Sequence, residues 1–324
     1  MVSATKHAGL YRFTLALIGY TIVIIVWGAW VRISGSGAGC GEHWPLCNGE
    51  AIPFGSSHKT WIEVSHRYST AVFGIAVVLL CALARKITTQ HNLHRIGAYC
   101  VLVFTILEAL IGRLLVVRGY VDQDTSISRL IIMPLHLVNT SLLLASEVFT
   151  ARMLLPDYQR KLAISKTKGV VTIIFLCLLL TLLTSGAIAS LGSHLLPSHG
   201  IFEGLQADLN TDSHVAVRLR PLHLVFGLSV FVLTALVAWY EPHVLKPLLK
   251  LQSFRRFLST MCALVLLGIL TVVLLSPVTL KLAHLTVANI FVVSATGLFV
   301  DFLFLPLETT PSQQAPLPSP NFNH

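Results

Sequence analysis

The sequence predicts an all-α membrane protein of eight transmembrane helices, built as two tandem four-helix bundles related by a pseudo-two-fold axis. Three observations carry this expectation: a scarcity of charge, eight long apolar runs, and an internal repeat. Of the 324 residues, 54% are hydrophobic and only 11% are charged. A soluble domain is about 25% charged, so this chain could not cover a water-facing surface.

The apolar runs span residues 11–31, 66–84, 97–116, 130–153, 170–190, 219–240, 257–276 and 279–303. Each approaches the roughly 20 apolar residues that a spanning helix requires. Arg32-Ile33-Ser34-Gly35 follows the first run without a small-x-small cleavage site. That run therefore reads as a retained span and not as a cleavable signal peptide. The tail 304–324, rich in Pro, Ser, Gln and Asn, reads as disordered.

Charge sets the expected orientation. With the N-terminus inside, the inner segments hold Lys6, Arg12, Arg85, Lys86, Arg95, Arg152, Arg160, Lys161, Lys166, Lys168, Lys246, Lys250, Arg255 and Arg256. Only Glu147, Asp157, Glu241, Asp301 and Glu308 oppose them there. On the outer side basic and acidic residues nearly balance, and Glu108 lies within the third run. This is the positive-inside pattern. It places both termini in the cytoplasm, and it accounts for the net charge of +9 by topology, with no nucleic-acid partner implied.

The repeat appears when the halves are compared. Pro134-Leu135-His136-Leu137 in the fourth run matches Leu282-Ala283-His284-Leu285 in the eighth. Ser65-His66-Arg67 in the second run has its counterpart in Leu222-His223-Leu224 in the sixth. Gly28-Ala29-Trp30-Val31-Arg32 closes the first run as Gly186-Ala187-Ile188-Ala189-Ser190 closes the fifth. Residues 170–303 thus read as a divergent copy of 11–153. Each copy holds an even number of spans, so both insert the same way up, as a parallel repeat.

His66, His136, His223 and His284 fall in the second, fourth, sixth and eighth spans, each expected within the first turn or two. At about 1.5 Å per residue, all four would lie within roughly 10 Å of the outer boundary. Ionisable groups inside a membrane are costly and usually functional. Neutral imidazole is a common axial ligand of haem iron. One histidine from each of two facing helices can clamp a porphyrin edge-on inside a helical bundle. The expected pairs are 66 with 136 and 223 with 284. One alternative is that each histidine hydrogen-bonds a neighbouring helix. Another is a zinc or copper centre, which needs closer ligands and a carboxylate or thiolate.

The segment between the first two spans is the most distinctive. It reads Gly35-Ser36-Gly37-Ala38-Gly39-Cys40, then Trp44-Pro45-Leu46-Cys47-Asn48-Gly49. Cys40 and Cys47 lie outside the spans, in an oxidising compartment on the expected topology, so a disulfide or a redox dithiol is expected there. Trp61-Ile62-Glu63-Val64-Ser65-His66-Arg67 follows. Glu63 lies one helical turn before His66 and shares its face. It could move protons or hold a water; alternatively it orients His66 or pairs with Arg67. Arg32, Arg67, Arg129, Arg218 and Arg220 sit near the outer ends of spans. Arg32 and Arg67 are the candidates for binding haem propionates through the guanidinium fork, with snorkelling to the interface as the alternative.

Taken together, the Gly-Ser-Gly-x-Gly-Cys loop with Trp-Pro-Leu-Cys-Asn-Gly, the Glu-x-x-His-Arg of the second span and the ordered histidines resemble the haem A synthase family of respiratory membranes. The resemblance covers about 11–303. It implies an oxidoreductase of the bacterial inner membrane that converts the C8 methyl of haem O to the formyl of haem A for cytochrome oxidase. It implies haem O as substrate at His66 and His136 and haem b as cofactor at His223 and His284. Glu63 matches the family's important carboxylate, and Cys40 and Cys47 its first-loop cysteine pair. The implied partners are haem O, the haem O synthase that supplies it, membrane lipid and an electron donor, with a homo-oligomer left open. One departure stands out: some members carry a second cysteine pair between the fifth and sixth spans, and 191–218 has none. Two rivals remain: a di-haem cytochrome b that only carries electrons, which would not require Glu63 or the glycine-cysteine loop, and a membrane transporter, whose sites lie at the midplane between discontinuous helices whereas these histidines are expected near the outer face.

Overall fold

A computed structural model describes residues 2–87, 92–158, 166–240 and 252–304. The tail from 305 onward, and Arg160, Lys161, Lys246 and Lys250 of the charge asymmetry, lie outside the described residues. Among the described residues the chain is helical, apart from loops and a single β-bridge between Cys47 and Glu50. The helices are α1 (Val2–Ile33), α2 (His58–Arg85), α3 (Leu93–Val117), α4 (Ile127–Met153), α5 (Lys166–Leu195), α6 (Ile201–Leu209), α7 (Val215–Arg218), α8 (Arg220–Tyr240), α9 (Gln252–Val273) and α10 (Val278–Phe304). Among the described residues eight helices are long and apolar enough to cross a membrane, the sixth being α7 continued into α8. Their outward faces carry large apolar side chains such as Ile75, Ile106, Ile173, Val232 and Leu266, each at least 44% exposed. Water would not tolerate such a surface, whereas lipid does. The chain is an integral membrane protein.

The helices begin earlier than their apolar runs, and in α2 and α4 the caps show why. Ser57 caps α2 by accepting a hydrogen bond from the Thr60 amide, and Ser126 caps α4 through the Arg129 amide. Hydropathy marks where lipid begins, but capping marks where the helix begins. His66 therefore lies eight residues past the α2 start and His136 nine past the α4 start. Both sit beyond the second turn, deeper in their helices than expected, whereas His223 and His284 lie within the first two turns.

Each half has its own core. Leu17, Phe73, Val77, Leu80, Val101 and Leu143 knit α1 to α4. Phe254, Phe257, Met261, Phe291 and Ala295 knit α9 to α10. The seam between the halves is the packing of α4 on α10, with Ile18, Leu144, Val148 and Val292 buried in it. At its end away from the cysteine loop, Arg152 pairs with Asp301 at 3.2 Å. Tyr158 donates its phenol proton to the same carboxylate. Burial, and then the bond to Asp301, push the Tyr158 phenol above its ordinary range, so it stays a donor. The two arms of the sequence repeat thus form one body, an arrangement consistent with a pseudo-two-fold relation.

Candidate functional site

A continuous cavity of about 1440 Å³ runs between the halves and is lined by all four candidate histidines. That exceeds the roughly 300–1,000 Å³ of a single small-molecule site. Each histidine faces a helical glycine on the preceding spanning helix. A Cβ on Gly28 would meet the His66 ring at 2.9 Å, and one on Gly186 would meet His223 at 3.0 Å. The corresponding distances are 3.6 Å from Gly268 to His284 and 4.0 Å from Gly112 to His136. Lacking a side chain, glycine leaves room for an imidazole against the neighbouring helix. The same His–Gly pairing recurs four times, twice in each half. The Gly28 and Gly186 motifs were visible in the sequence repeat; Gly112 and Gly268 were not.

The structure brings the histidines of each half near one another. The His223 and His284 rings are 6.2 Å apart, centroid to centroid, and nearly perpendicular at 85°. Two metal–imidazole bonds of about 2 Å each, on opposite sides of one iron, place ring centres roughly 6 Å apart. His66 lies within electrostatic reach of His136. Nδ1 of His66, His136 and His284 is buried without a hydrogen-bond partner, so the expected role as simple interhelical tethers finds no support at these atoms. His223 Nδ1 lies 3.2 Å from the Ser185 hydroxyl. Two imidazoles at this spacing facing an apolar cavity, His284 with its Nδ1 unpartnered and His223 with Nδ1 beside the Ser185 hydroxyl, fit a haem held between them. Among the described residues no group of three or more His, Cys, Asp or Glu side chains is arranged to hold a metal ion.

The first pair has polar neighbours that the second lacks. Glu63 is 3% exposed. Its Oε1 accepts from Arg67 at 2.5 and 3.1 Å, and its Oε2 accepts from the Cys40 amide at 2.9 Å. Of the alternatives for this carboxylate, pairing with Arg67 is realised, while His66 Nδ1 receives nothing from it. Glu63 still lines the cavity beside His66.

Glu108 is the residue that sequence reasoning missed. Its Oε1 lies 3.4 Å from His136 Nδ1, at ion-pair distance without hydrogen-bond geometry. Asn139 donates to its Oε2 at 2.5 Å, and the Thr140 hydroxyl bonds its Oε1. The available signal was a lone carboxylate in the middle of an apolar span, which is costly without a function. In the repeat register set by Gly112 and Gly268, the second half places Leu264 at the position of Glu108.

Each half has a roof over its end of the cavity. Over the first lies the 34–57 loop, closed by a disulfide between Cys40 and Cys47, whose Cα atoms are 4.4 Å apart. Both cysteines are buried against Val64. The loop packs so tightly on α2 that a Cβ on Gly39 would meet the Lys59 backbone at 2.9 Å. Arg67 clamps it by donating Nη1 to the carbonyls of His43, Pro45 and Leu46. The roof of the second half is α6, within the segment 191–218 for which the sequence offered no role. Asp208 of α6 is pinned to Arg220 at 2.6 Å.

The outer arginines are thereby sorted. Arg67 is committed to Glu63 and the loop, Arg220 to Asp208, and Arg129 to the carbonyls of Asp122 and Asp124 at 2.8 and 2.7 Å. Arg32 donates to the Ser190 hydroxyl at 3.1 Å, and its Nε is buried without a partner. Both Arg32 and Arg67 line the cavity.

Comparison with known proteins gives a consistent picture. A protoheme IX farnesyltransferase of Thermus thermophilus is 32% identical over 269 residues, 83% of this chain but 44% of that protein. A heme A synthase of Bacillus mycoides is 35% identical over 144 residues, 43% of this chain and 46% of that protein. One of Bacillus anthracis matches to the same extent. The chain spans about half the length of the curated relatives it matches. The model of the COX15-CtaA family, described as cytochrome oxidase assembly protein, matches residues 11–296. The protein belongs to that family of cytochrome oxidase assembly proteins.

Proposed function

We propose that this protein is a haem A synthase, oxidising the C8 methyl of haem O to a formyl group. The observation that carries the reading is the asymmetry of two otherwise matched histidine pairs facing one cavity. Glu63, Glu108 and the disulfide loop accompany only the first pair. His66 and His136 would hold haem O as substrate, and His223 and His284 would hold haem b. Haem b, when bound, supplies a one-electron redox centre. From methyl to formyl, with water as the oxygen source, the net change releases four protons and four electrons. That change requires a proton acceptor at the first pair and, because haem b would take one electron at a time, successive passage of the four electrons through the second pair to an external electron acceptor.

Glu63 would take a proton on the remaining lone pair of Oε2, which accepts one bond from the Cys40 amide, because Oε1 accepts two from Arg67. Glu108 would fix the His136 ring, with Asn139 and Thr140 holding its carboxylate in place, as carboxylates commonly do behind metal-bound histidines. The disulfide loop would shield the reacting edge from bulk solvent while leaving room for the water that the oxidation consumes. Arg32 would meet a propionate; Arg67 reaches that edge with its donors already engaged. On the charge pattern, both termini face the cytoplasm of a bacterial inner membrane and the roofs face outward. The relationship to a farnesyltransferase of protohaem supports a farnesylating enzyme, a haem O synthase, as the source of substrate.

The reading is tested by co-expression with a source of haem O, followed by extraction and chromatography of the non-covalent haem. Haem A or its hydroxylated precursor is expected; unmodified haem O and haem B alone would refute it. The glycine contacts give a graded check on the sites. Gly28→Ala and Gly186→Ala press on a histidine ring and are expected to lower haem retention on the order of tenfold, the scale of disturbed ligand orientation. Gly112→Ala and Gly268→Ala meet only ordinary contact and should purify with wild-type haem content. An equal effect of all four would show that the glycines serve helix packing alone.

A further inference from the structure

Arg32 and Ser190 occupy the same place in the two copies of the repeat, each four residues after the glycine that faces a histidine. They also touch one another, at 3.1 Å. Positions exchanged by a two-fold rotation can be in contact only close to the rotation axis. Arg32 is therefore a cation on the pseudo-two-fold axis, between the two histidine pairs and belonging by position to neither.

A second cation meets it there from the other half. Lys281 of α10 is within electrostatic reach of Arg32, and its ammonium donates to the Ser193 carbonyl at 3.4 Å. It precedes His284 by three residues, so it stands one turn toward the roofs on the same helix face. Arg32 stands one turn toward the roofs from Gly28. Both line the cavity, with Ser190 and Ser193 between them. The nearby carboxylates are otherwise engaged. Asp122 and Asp124 lie beside Arg129, Asp208 holds Arg220, and Glu63 holds Arg67. Among the described residues Arg32 and Lys281 form no ion pair. Asp122 also lines the cavity but forms no ion pair with either; two cations without an ion-pair partner, with Arg129 adding to the positive field at Arg32, repel each other and are costly to desolvate. They await a ligand of opposite charge.

We propose that Arg32 and Lys281 form one carboxylate-binding site on the axis, shared by the ligands of both halves. The ligand class is a porphyrin propionate, and the inference rests on the reading that both halves bind haem. A propionate bound from either half neutralises part of the same positive charge, so the occupancies of the two pairs are coupled. An arginine serving only its own half would influence the first pair alone.

The test isolates the second pair. In full-length protein carrying His136→Leu, ferric protohaem and its dimethyl ester, whose propionates are masked, are titrated separately and followed by absorption. Adding Arg32→Met, a residue of the first half, is expected to weaken protohaem binding at His223 and His284 about tenfold or more, the worth of a charge-assisted hydrogen bond. Binding of the ester should not change. Lys281→Met should behave likewise, and Arg32→Lys should restore discrimination between acid and ester. Unchanged protohaem affinity in Arg32→Met would overturn the shared site, as would an equal loss for the ester, which would report a structural role. Absence of any protohaem binding in the His136→Leu parent would instead refute the haem reading of the second pair.

Discussion

Replacing His223 or His284 with leucine is expected to abolish one low-spin haem signal and leave the other intact. The two rings stand 6.2 Å apart, and on the proposed function each would provide one ligand to the same haem. Leucine fills the space without offering a nitrogen lone pair. Disturbing partners behind a metal ligand costs about 10–100-fold in affinity, so losing the ligand itself should empty the site at micromolar haem. The first pair has its own helices, glycines and roof, and its spectrum should persist. Because electrons would leave through the second pair, haem A formation should stop although haem O still binds. A single variant that empties both pairs, or neither, would show that the histidines do not work as two separate couples. Absorption and paramagnetic resonance spectra of the purified variants decide the matter.

Glu63→Gln should retain haem and lose product by about 10²-fold or more, the range of a positioned acid–base group. Glutamine keeps the shape and one acceptor oxygen, so the Cys40 amide can still be satisfied. What it loses is the ability to take a proton, and, with its oxygen on the Cys40 amide, its NH2 meets Arg67 donor to donor, so the ion pair is lost too. The carboxylate has a structural partner in Arg67 and, through the Cys40 amide, a hold on the disulfide loop. A purely structural role therefore has to be separated. Cys40→Ser with Cys47→Ser loosens the same roof and leaves Glu63 in place. If Glu63→Gln and the cysteine variant lose product equally, the carboxylate acts by holding the loop. If Glu63→Gln makes normal amounts of haem A, it has no chemical role.

The resemblance drawn from the first-loop motif and the ordered histidines holds at the level of the family, since the family match covers nearly the whole helical region. The spans, their number and the histidine pairs were legible because each is a local signal: twenty apolar residues in a row, or one imidazole repeated at the same place in two copies. The disulfide was half legible. The spacing and compartment suggested a bond or a dithiol, and the fold closes it and buries both cysteines.

Partnership was not legible. Arg32, Arg67, Arg129 and Arg220 look alike in sequence, as arginines near the ends of spans. Only packing assigns one to a loop, one to a cap, one to α6 and one to the axis between the halves. Glu108 belongs to the site because α3 lies against α4, and α6 belongs because residues 201–209 fold back over the second pair. The sequence by itself determined the solvent the chain lives in, its all-helical class and its eight spans, because burial in lipid and helical period act residue by residue along the chain. The tertiary structure alone decided which charges are satisfied and which face the cavity. A charge in a low-dielectric interior takes whatever partner packing brings within a few ångströms, and that distance is set between helices, not along them.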